Sequence, residues 1–379
     1  MEQELEGVVS PESQIKVSVI IPIYNAREYV GLAIESAIDQ TLREIEIICV
    51  DDGSTDHSLQ VVKEYAAQDS RIRIVTENNA GVAIARNNGL RRARGEYIAF
   101  LDADDFMESP TLERLYNLAK EKNLDIAIAG YDLFQEKTCK FVKPIPSTHE
   151  EIFADGKVSS KKEYPDYIFQ STDGNAWNKL FRRAFVEEKE LQFLTDVKMF
   201  EDVYFVCTAL SLAENIARDD TVWIHHRVHS ESARNRFFRK YYPEVPLVYA
   251  KIKEFLVKHG MYLPLVQSFV QLSTSRIYKI YNILNNDSKE ALFDLLHTSY
   301  AETFGWRDIT ADQLGDSEVG EFIVNVAMYN YKQYAKRERR GLRVKLQNLP
   351  KLLKQFKARE KFKAFFTGLF KKKKKDNDD

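Results

Sequence analysis

Through its first 130 residues the chain alternates short apolar runs with stretches of helical periodicity. The runs are Val17-Ser18-Val19-Ile20-Ile21-Pro22, Ile45-Glu46-Ile47-Ile48-Cys49-Val50, Ile72-Arg73-Ile74-Val75, Tyr97-Ile98-Ala99-Phe100-Leu101 and Asp125-Ile126-Ala127-Ile128-Ala129-Gly130. Each is short and apolar enough to read as a buried strand, and Pro22 stops the first. Between them, Val30, Ala33, Ile34, Ala37 and Ile38 recur at helical spacing within 28–40, and further helices are expected over 58–69 and 81–93. This order predicts an α/β fold, Rossmann-like, with a mostly parallel central sheet and helices on both faces. From about Lys240 the pattern turns helical and rich in Tyr, Leu and Lys, and no internal repeat is visible. The expected organisation is a flexible N-terminus over 1–15, an α/β domain over 16–238, a helical C-terminal domain over 239–345 and a basic amphipathic tail over 346–379.

Composition narrows this picture. The chain has 379 residues, 44% of them hydrophobic, enough for a sizeable core. No apolar stretch approaches the roughly 18 residues of a membrane span. The start, Met1-Glu2-Gln3-Glu4-Leu5-Glu6, lacks the apolar segment of a secretory signal. Cys49, Cys139 and Cys207 are scattered, without pairing or metal-ligand spacing. Together these features point to the cytoplasm. The net charge of −2 hides an asymmetry, because residues 331–379 carry 18 Lys and Arg against 5 Asp and Glu. A basic tail on an acidic body suits an anionic surface.

The candidate chemistry lies at strand ends. Asp102, Asp104 and Asp105 follow the run 97–101, so they sit at the carboxyl edge of the sheet, where open α/β folds bind ligands. Clustered carboxylates suit a hard divalent cation that also holds phosphate oxygens. Alone, such a pattern also reads as a solvated turn capping the next helix. Its companions are Pro22-Ile23-Tyr24-Asn25 and Asp51-Asp52-Gly53-Ser54, which fall at two other strand ends. Right-handed crossovers bring such ends to one edge. A tyrosine ring can pack on a base and a carboxylate can accept from a pyrimidine N–H. Gly81-Val82-Ala83-Ile84-Ala85-Arg86-Asn87 adds a turn into a helix, with Arg86 one turn inside. Helix N-termini attract phosphate and arginine binds it in a fork, although a surface cation is an equal reading of Arg86.

These segments, with Val19 to Asn25, Val50 to Asp56 and Gly95 to Asp105, resemble glycosyltransferase family 2 of the GT-A fold across about residues 16–230. The resemblance implies that Pro22, Tyr24 and Asp52 line a nucleoside pocket, with Asp52 on a uracil-like base. It implies that Arg86 lies near ribose and diphosphate, that Asp102 and Ala103 contact the donor, and that Asp104 is the chief ligand of Mn²⁺ or Mg²⁺. The acidic pair Glu201-Asp202 matches the family's position for the catalytic base, which implies Asp202 in that role with Glu201 as support or substitute; spacing alone fits a helix N-terminus with early acids equally well. Arg227 and His229 fit the family's Tyr-Arg-x-His pattern, with His226 in place of the tyrosine. Arg227 is assigned to the donor and His229 to the metal, against a packed histidine. Lys179 or Trp177 is a candidate acceptor contact, with a strand-end core position for Trp177 and a solvated role for Arg182 and Arg183 as the alternative readings of this segment.

The implied function is an inverting, metal-dependent transfer from a UDP-sugar to a hydroxyl of a glycan or lipid-linked oligosaccharide, in cell-surface polysaccharide synthesis. The alternatives are another nucleotide donor, or an inactive nucleotide-sugar-binding module tethered to membrane. Residues 331–375 interleave cations with Leu and Phe and end in Lys371 to Lys375, as two short amphipathic helices on anionic lipid would; a solvated tail, a subunit contact or nonspecific nucleic-acid attraction are the other readings. That places the protein on the inner face of the cell membrane. A homo-oligomer is compatible with the sequence, and no specific nucleic-acid partner is expected.

Overall fold

The computed structural model describes residues 15–147, 149–153, 156–229, 240–308 and 317–337. The expected amphipathic tail at 346–379 and the N-terminus to residue 14 lie outside these. The chain forms two compact units, Met1–Leu284 and Asn285–Asp379.

The first unit is built on a nine-stranded sheet of order β3-β2-β1-β4-β8-β6-β9-β5, with β7 paired to β6. The strands are β1 Val17–Ile23, β2 Ile45–Asp51, β3 Ile72–Thr76, β4 Tyr97–Phe100, β5 Phe106–Met107, β6 Ile126–Gln135, β7 Lys140–Val142, β8 Lys179–Arg182 and β9 Ile216–Val228. The helices threaded among them are α1 Val30–Ile38, α2 Ser58–Ala66, α3 Val82–Leu90, α4 Thr111–Glu121, α5 Arg183–Glu188 and α6 Glu201–Leu212. Every residue of β1 and β2 is buried, as a sheet covered on both faces requires. β1, β2, β3 and β4 pair in parallel, so β1, β2 and β4 deliver their carboxyl ends to one edge.

Beyond β4 the sheet departs from the plain alternation read in the sequence. β8 enters antiparallel between β4 and β6, and β5 pairs antiparallel with β9. β6 runs to Gln135, past the expected end at 130, and pairs in parallel with β9 through an irregularity at Ala129/Gly130. This long pair carries residues 225–228 back to the edge where β4 ends.

Helices α7 Glu244–Lys258 and α8 Val266–Ile283 complete the first unit. α7 packs on α6 and α8 packs on α7, burying Val248, Ile252, Leu256, Phe269 and Ile277. These helices belong to the first unit, which runs to Leu284. In the second unit, α9 Asn286–Leu295 starts at Asn285, whose side chain accepts from the Ser288 amide at 2.9 Å. With α10 Ser317–Met328 it encloses Phe293, Leu296, Trp306, Phe322 and Val326.

At the opposite end of β2 from the candidate site, the buried Glu46 joins three segments. It accepts from Ser18 at 2.7 Å, from Arg73 at 2.6 Å and from the Arg94 amide at 2.7 Å. Gly95 sits so close that a Cβ would lie 2.5 Å from the Ser18 amide nitrogen. Burial pushes the Glu46 carboxyl up, but the Ser18, Arg73 and Arg94 interactions outweigh it and leave it below its ordinary value. Glu46→Gln presents an N–H₂ to these donors and should cost about 1.5–3 kcal/mol, read as a lower urea midpoint. An unchanged midpoint would remove the clamp from the account of stability.

Candidate active site

Three loops leave the carboxyl ends of β1, β2 and β4. The first two are stitched together. Asn25, at φ +48°, accepts through Oδ1 from the Thr55 amide at 2.8 Å and the Asp56 amide at 3.3 Å. In return, Ser54 accepts from the Asn25 amide, Ser58 from the Ala26 amide and Asp56 from the Arg27 amide. Tyr24 stands on this platform with 50% of its surface exposed, while Pro22 is buried inside β1. Gly53, at φ +69°, presses on the next loop, and a Cβ there would lie 2.7 Å from the Asn79 amide nitrogen.

Asp52 is buried and its two oxygens accept from the Ala80 and Gly81 amides at 2.7 and 2.9 Å. It thereby fixes the turn that opens α3. One turn into that helix, Arg86 is buried and forked between two acids distant in sequence. It donates to Glu201 at 2.7 Å and to Asp102 at 2.7 Å. Both arms of the guanidinium are thus committed to carboxylates. Burial works against its charge, but Asp102, Glu201 and Asp202 outweigh that and hold the guanidinium above its ordinary value. Phe193 lies under the guanidinium at 5.2 Å, and its backbone exchanges two hydrogen bonds of 2.9 Å with the Asn87 side chain. Nothing in the local sequence around Phe193 signals this; only the adjacency of Arg86 and Asn87 hints at a shared partner.

Glu201 and Asp202 open α6, and the Asp202 carboxylate accepts from the Val203 amide at 2.7 Å. Burial, and after it the Glu201 charge, raises the Asp202 carboxyl well above its ordinary value, with Arg86 opposing. Arg86 thus joins the acids after β4 to the acids of α6, and Asp52 anchors the turn that carries Arg86.

Of the acids after β4, Asp102, Asp104 and Asp105 bring one oxygen each to within 4.8 Å of one another. They differ in what else they hold. Asp105 is fully buried and accepts from His226 Nδ1 at 2.9 Å and from the Arg227 amide at 2.8 Å. Asp102 and Asp104 are partly exposed, each with one oxygen engaged, by Arg86 and by His229 Nε2 at 3.0 Å. Hard oxygen donors converging on one point fit a divalent cation, with Asp102 and Asp104 the accessible pair. Ala103 between them is buried. Arg227 donates to the Asp104 carbonyl at 2.9 Å and lies over Tyr29, Phe106 and Phe134. His229 also faces the Tyr29 ring at 4.7 Å.

Two sequence candidates turn inward. The buried Lys179 ammonium donates to the Asp173 and Asn175 carbonyls and to Asn178 Oδ1 at 2.7–2.9 Å. Burial lowers it to about 7, with Asp173 opposing. Buried Trp177 stacks on His226 at 5.1 Å and meets Tyr131 edge-on at 4.8 Å. Trp177 thereby backs the His226–Asp105 pair.

The model of glycosyl transferase family 2 matches residues 18–189. EpsH of Bacillus subtilis (strain 168), a protein named as a glycosyltransferase, is 31% identical over 266 residues, 68% of this chain and 75% of its own. The cholesterol galactosyltransferase of Borreliella burgdorferi is 34% identical over 208 residues, 53% of this chain and 57% of its own. Among solved structures, S. aureus TarS 1-349 in complex with UDP-GlcNAc shares the fold, with a TM-score of 0.67 at 20% identity over 86% of this chain and 92% of that one.

The His226–Asp105 pair has a pH signature. Burial works against the imidazolium, yet Asp105 outweighs it and holds His226 up at about 9, against an ordinary 6.5. The folded chain therefore keeps a proton that the unfolded chain loses. The resulting stability is complete below pH 6.5 and fades as pH rises through about 9. His226→Phe should lower the urea midpoint at about pH 6 and converge on the parent near pH 10. A gap that stays constant with pH would show that this pair is not the source.

Proposed function

The chain belongs to glycosyl transferase family 2 and is a glycosyltransferase of the GT-A fold, and from that premise we propose that it moves a sugar from a UDP-sugar to a hydroxyl of a glycan or lipid-linked acceptor, with inversion. The observation that carries the reading is the single charged cluster in which Arg86 ties the acids after β4 to the acid pair of α6. The complex of TarS, the structural relative, with UDP-GlcNAc supports the choice of donor class.

On this reading Tyr24 offers its exposed ring to the base, over the turn that Asp52 holds. Asp102 and Asp104 are the residues that would hold Mn²⁺ or Mg²⁺, with Ala103 and Arg227 bordering the donor and His229 orienting Asp104. When bound, the cation supplies positive charge for the departing diphosphate. Asp202 takes the proton from the acceptor hydroxyl, and its raised carboxyl is a better base than an ordinary aspartate. Burial and the Glu201 charge keep Asp202 raised, and Arg86 is a fixed positive charge that lets three acids crowd one place. A single displacement needs no protein nucleophile. The basic residues of 331–379 suit an anionic membrane surface on the side where a lipid-linked acceptor is presented.

Asp104→Asn should reduce UDP release from a UDP-sugar by on the order of 100-fold or more and abolish its response to added Mn²⁺. Near-normal, metal-responsive turnover would remove Asp104 from cation binding. Asp202→Asn should lower kcat by roughly 10²–10⁴-fold while UDP binding, followed by calorimetry, is kept. In the parent, kcat/KM should fall as pH drops through the raised Asp202 value, and the Asn variant should lack that acid limb. Equal loss of binding and turnover would make Asp202 structural.

A further inference from the structure

The hairpin that joins β6 to β7 carries none of the site residues assigned above. Its segment 137–146, Lys-Thr-Cys-Lys-Phe-Val-Lys-Pro-Ile-Pro, has three lysines and no acid, on a chain whose first 330 residues are strongly acidic. All three residues of β7 are exposed, so the strand meets solvent on both faces. Phe141 is 54% exposed, Val142 38% and Ile145 92%. Phe141 touches Phe134 and His225 on its inner side, at 5.1 and 4.9 Å, and still leaves half its surface outside. Pro146 biases Ile145 before it, and Pro144 biases Lys143, toward extended backbone. Solvent alone gives no reason to hold out these three apolar side chains, and lysines between them mark the surface they meet as anionic.

We propose that the β6–β7 hairpin is a membrane-docking element that lays Phe141, Val142 and Ile145 into the interfacial zone of an anionic lipid surface, with Lys137, Lys140 and Lys143 on the headgroups. Aromatic and aliphatic side chains next to cations are the composition that interfacial binding favours. The position matters as much as the composition. The hairpin prolongs β6, whose residues Asp132 to Gln135 pair with His225 to Val228 of β9. Glu136, at its base, faces Arg227 at 3.5 Å. A docked hairpin therefore holds the Asp104–Arg227 region within a few residues of the lipid. The inference extends the reading of an anionic membrane surface from the tail to a second, folded contact.

The hairpin supplies its own reporter, because Cys139 is exposed while Cys49 and Cys207 are buried. The full chain, labelled at Cys139 with an environment-sensitive dye, is mixed with phosphatidylcholine vesicles with or without phosphatidylglycerol. With phosphatidylglycerol the emission should shift to the blue and be quenched by nitroxide-bearing lipid; with phosphatidylcholine alone it should not. Ile145→Ser, at a site too exposed to threaten folding, and Lys140→Glu with Lys143→Glu should each weaken the dye-reported affinity on the order of tenfold. Three results overturn the proposal. The chain fails to sediment with either vesicle, or it sediments while the dye stays aqueous, as the tail alone would produce, or the dye shifts without vesicles as a second copy pairs along β7. UDP release without vesicles, measured on the same samples, reads the transferase proposal separately.

Discussion

The guanidinium of Arg86 is the constraint on which the site depends. Glu201 and Asp202 lie about a hundred positions beyond Asp102, and like charges brought together in a buried place repel and resist desolvation. One fixed cation between them changes the sign of the problem. Arginine suits it because its two arms leave a rigid plane, so one residue grips two carboxylates at 2.7 Å each. Lysine has no second arm of that kind. The plane rests on Phe193, and Asn87 on the same helix holds the backbone of Phe193, so α3 carries both the cation and the floor beneath it.

β1, β2 and β4 were legible because they are buried on both faces and read as mostly apolar runs, while the partly buried β3 kept the same signature in Ile72, Ile74 and Val75. The loops at their ends were legible for the same reason, since a strand that ends in acids ends at an edge. What the sequence did not show follows from interactions that only the fold creates. β8 is a short strand, Lys-Leu-Phe-Arg, and nothing in it says that it enters antiparallel between β4 and β6. Lys179 was a candidate acceptor contact in the sequence, yet its ammonium is buried among carbonyls. The phosphate affinity of Arg86 is a property of the residue and could be read from the sequence, whereas its two carboxylate partners are a property of the topology. Asp105 sits in the same acidic run as Asp102 and Asp104, but His226 and the Arg227 amide occupy it. A run of three like residues therefore divides into two that face outward and one that braces.

β2 illustrates how the fold separates stability from chemistry. At its start, Glu46 gathers Ser18, Arg73 and Arg94 into a charged knot. Past its end, Asp52 holds the turn that opens α3. Both are buried acids satisfied by several donors, but one sits at the closed edge of the sheet and the other at the open edge. The same physical device serves once to keep strands in register and once to place a helix under a site.

The stitching of the 24–27 and 51–58 loops has a consequence for timing. Asn25, Ser54, Asp56 and Ser58 exchange enough hydrogen bonds that these two loops form one rigid shelf before any donor arrives. A nucleotide landing on Tyr24 would then freeze little backbone, and its capture would lose little to ordering entropy. Such a shelf would leave more of the contact energy to show as affinity, because less of it is offset by ordering the loops.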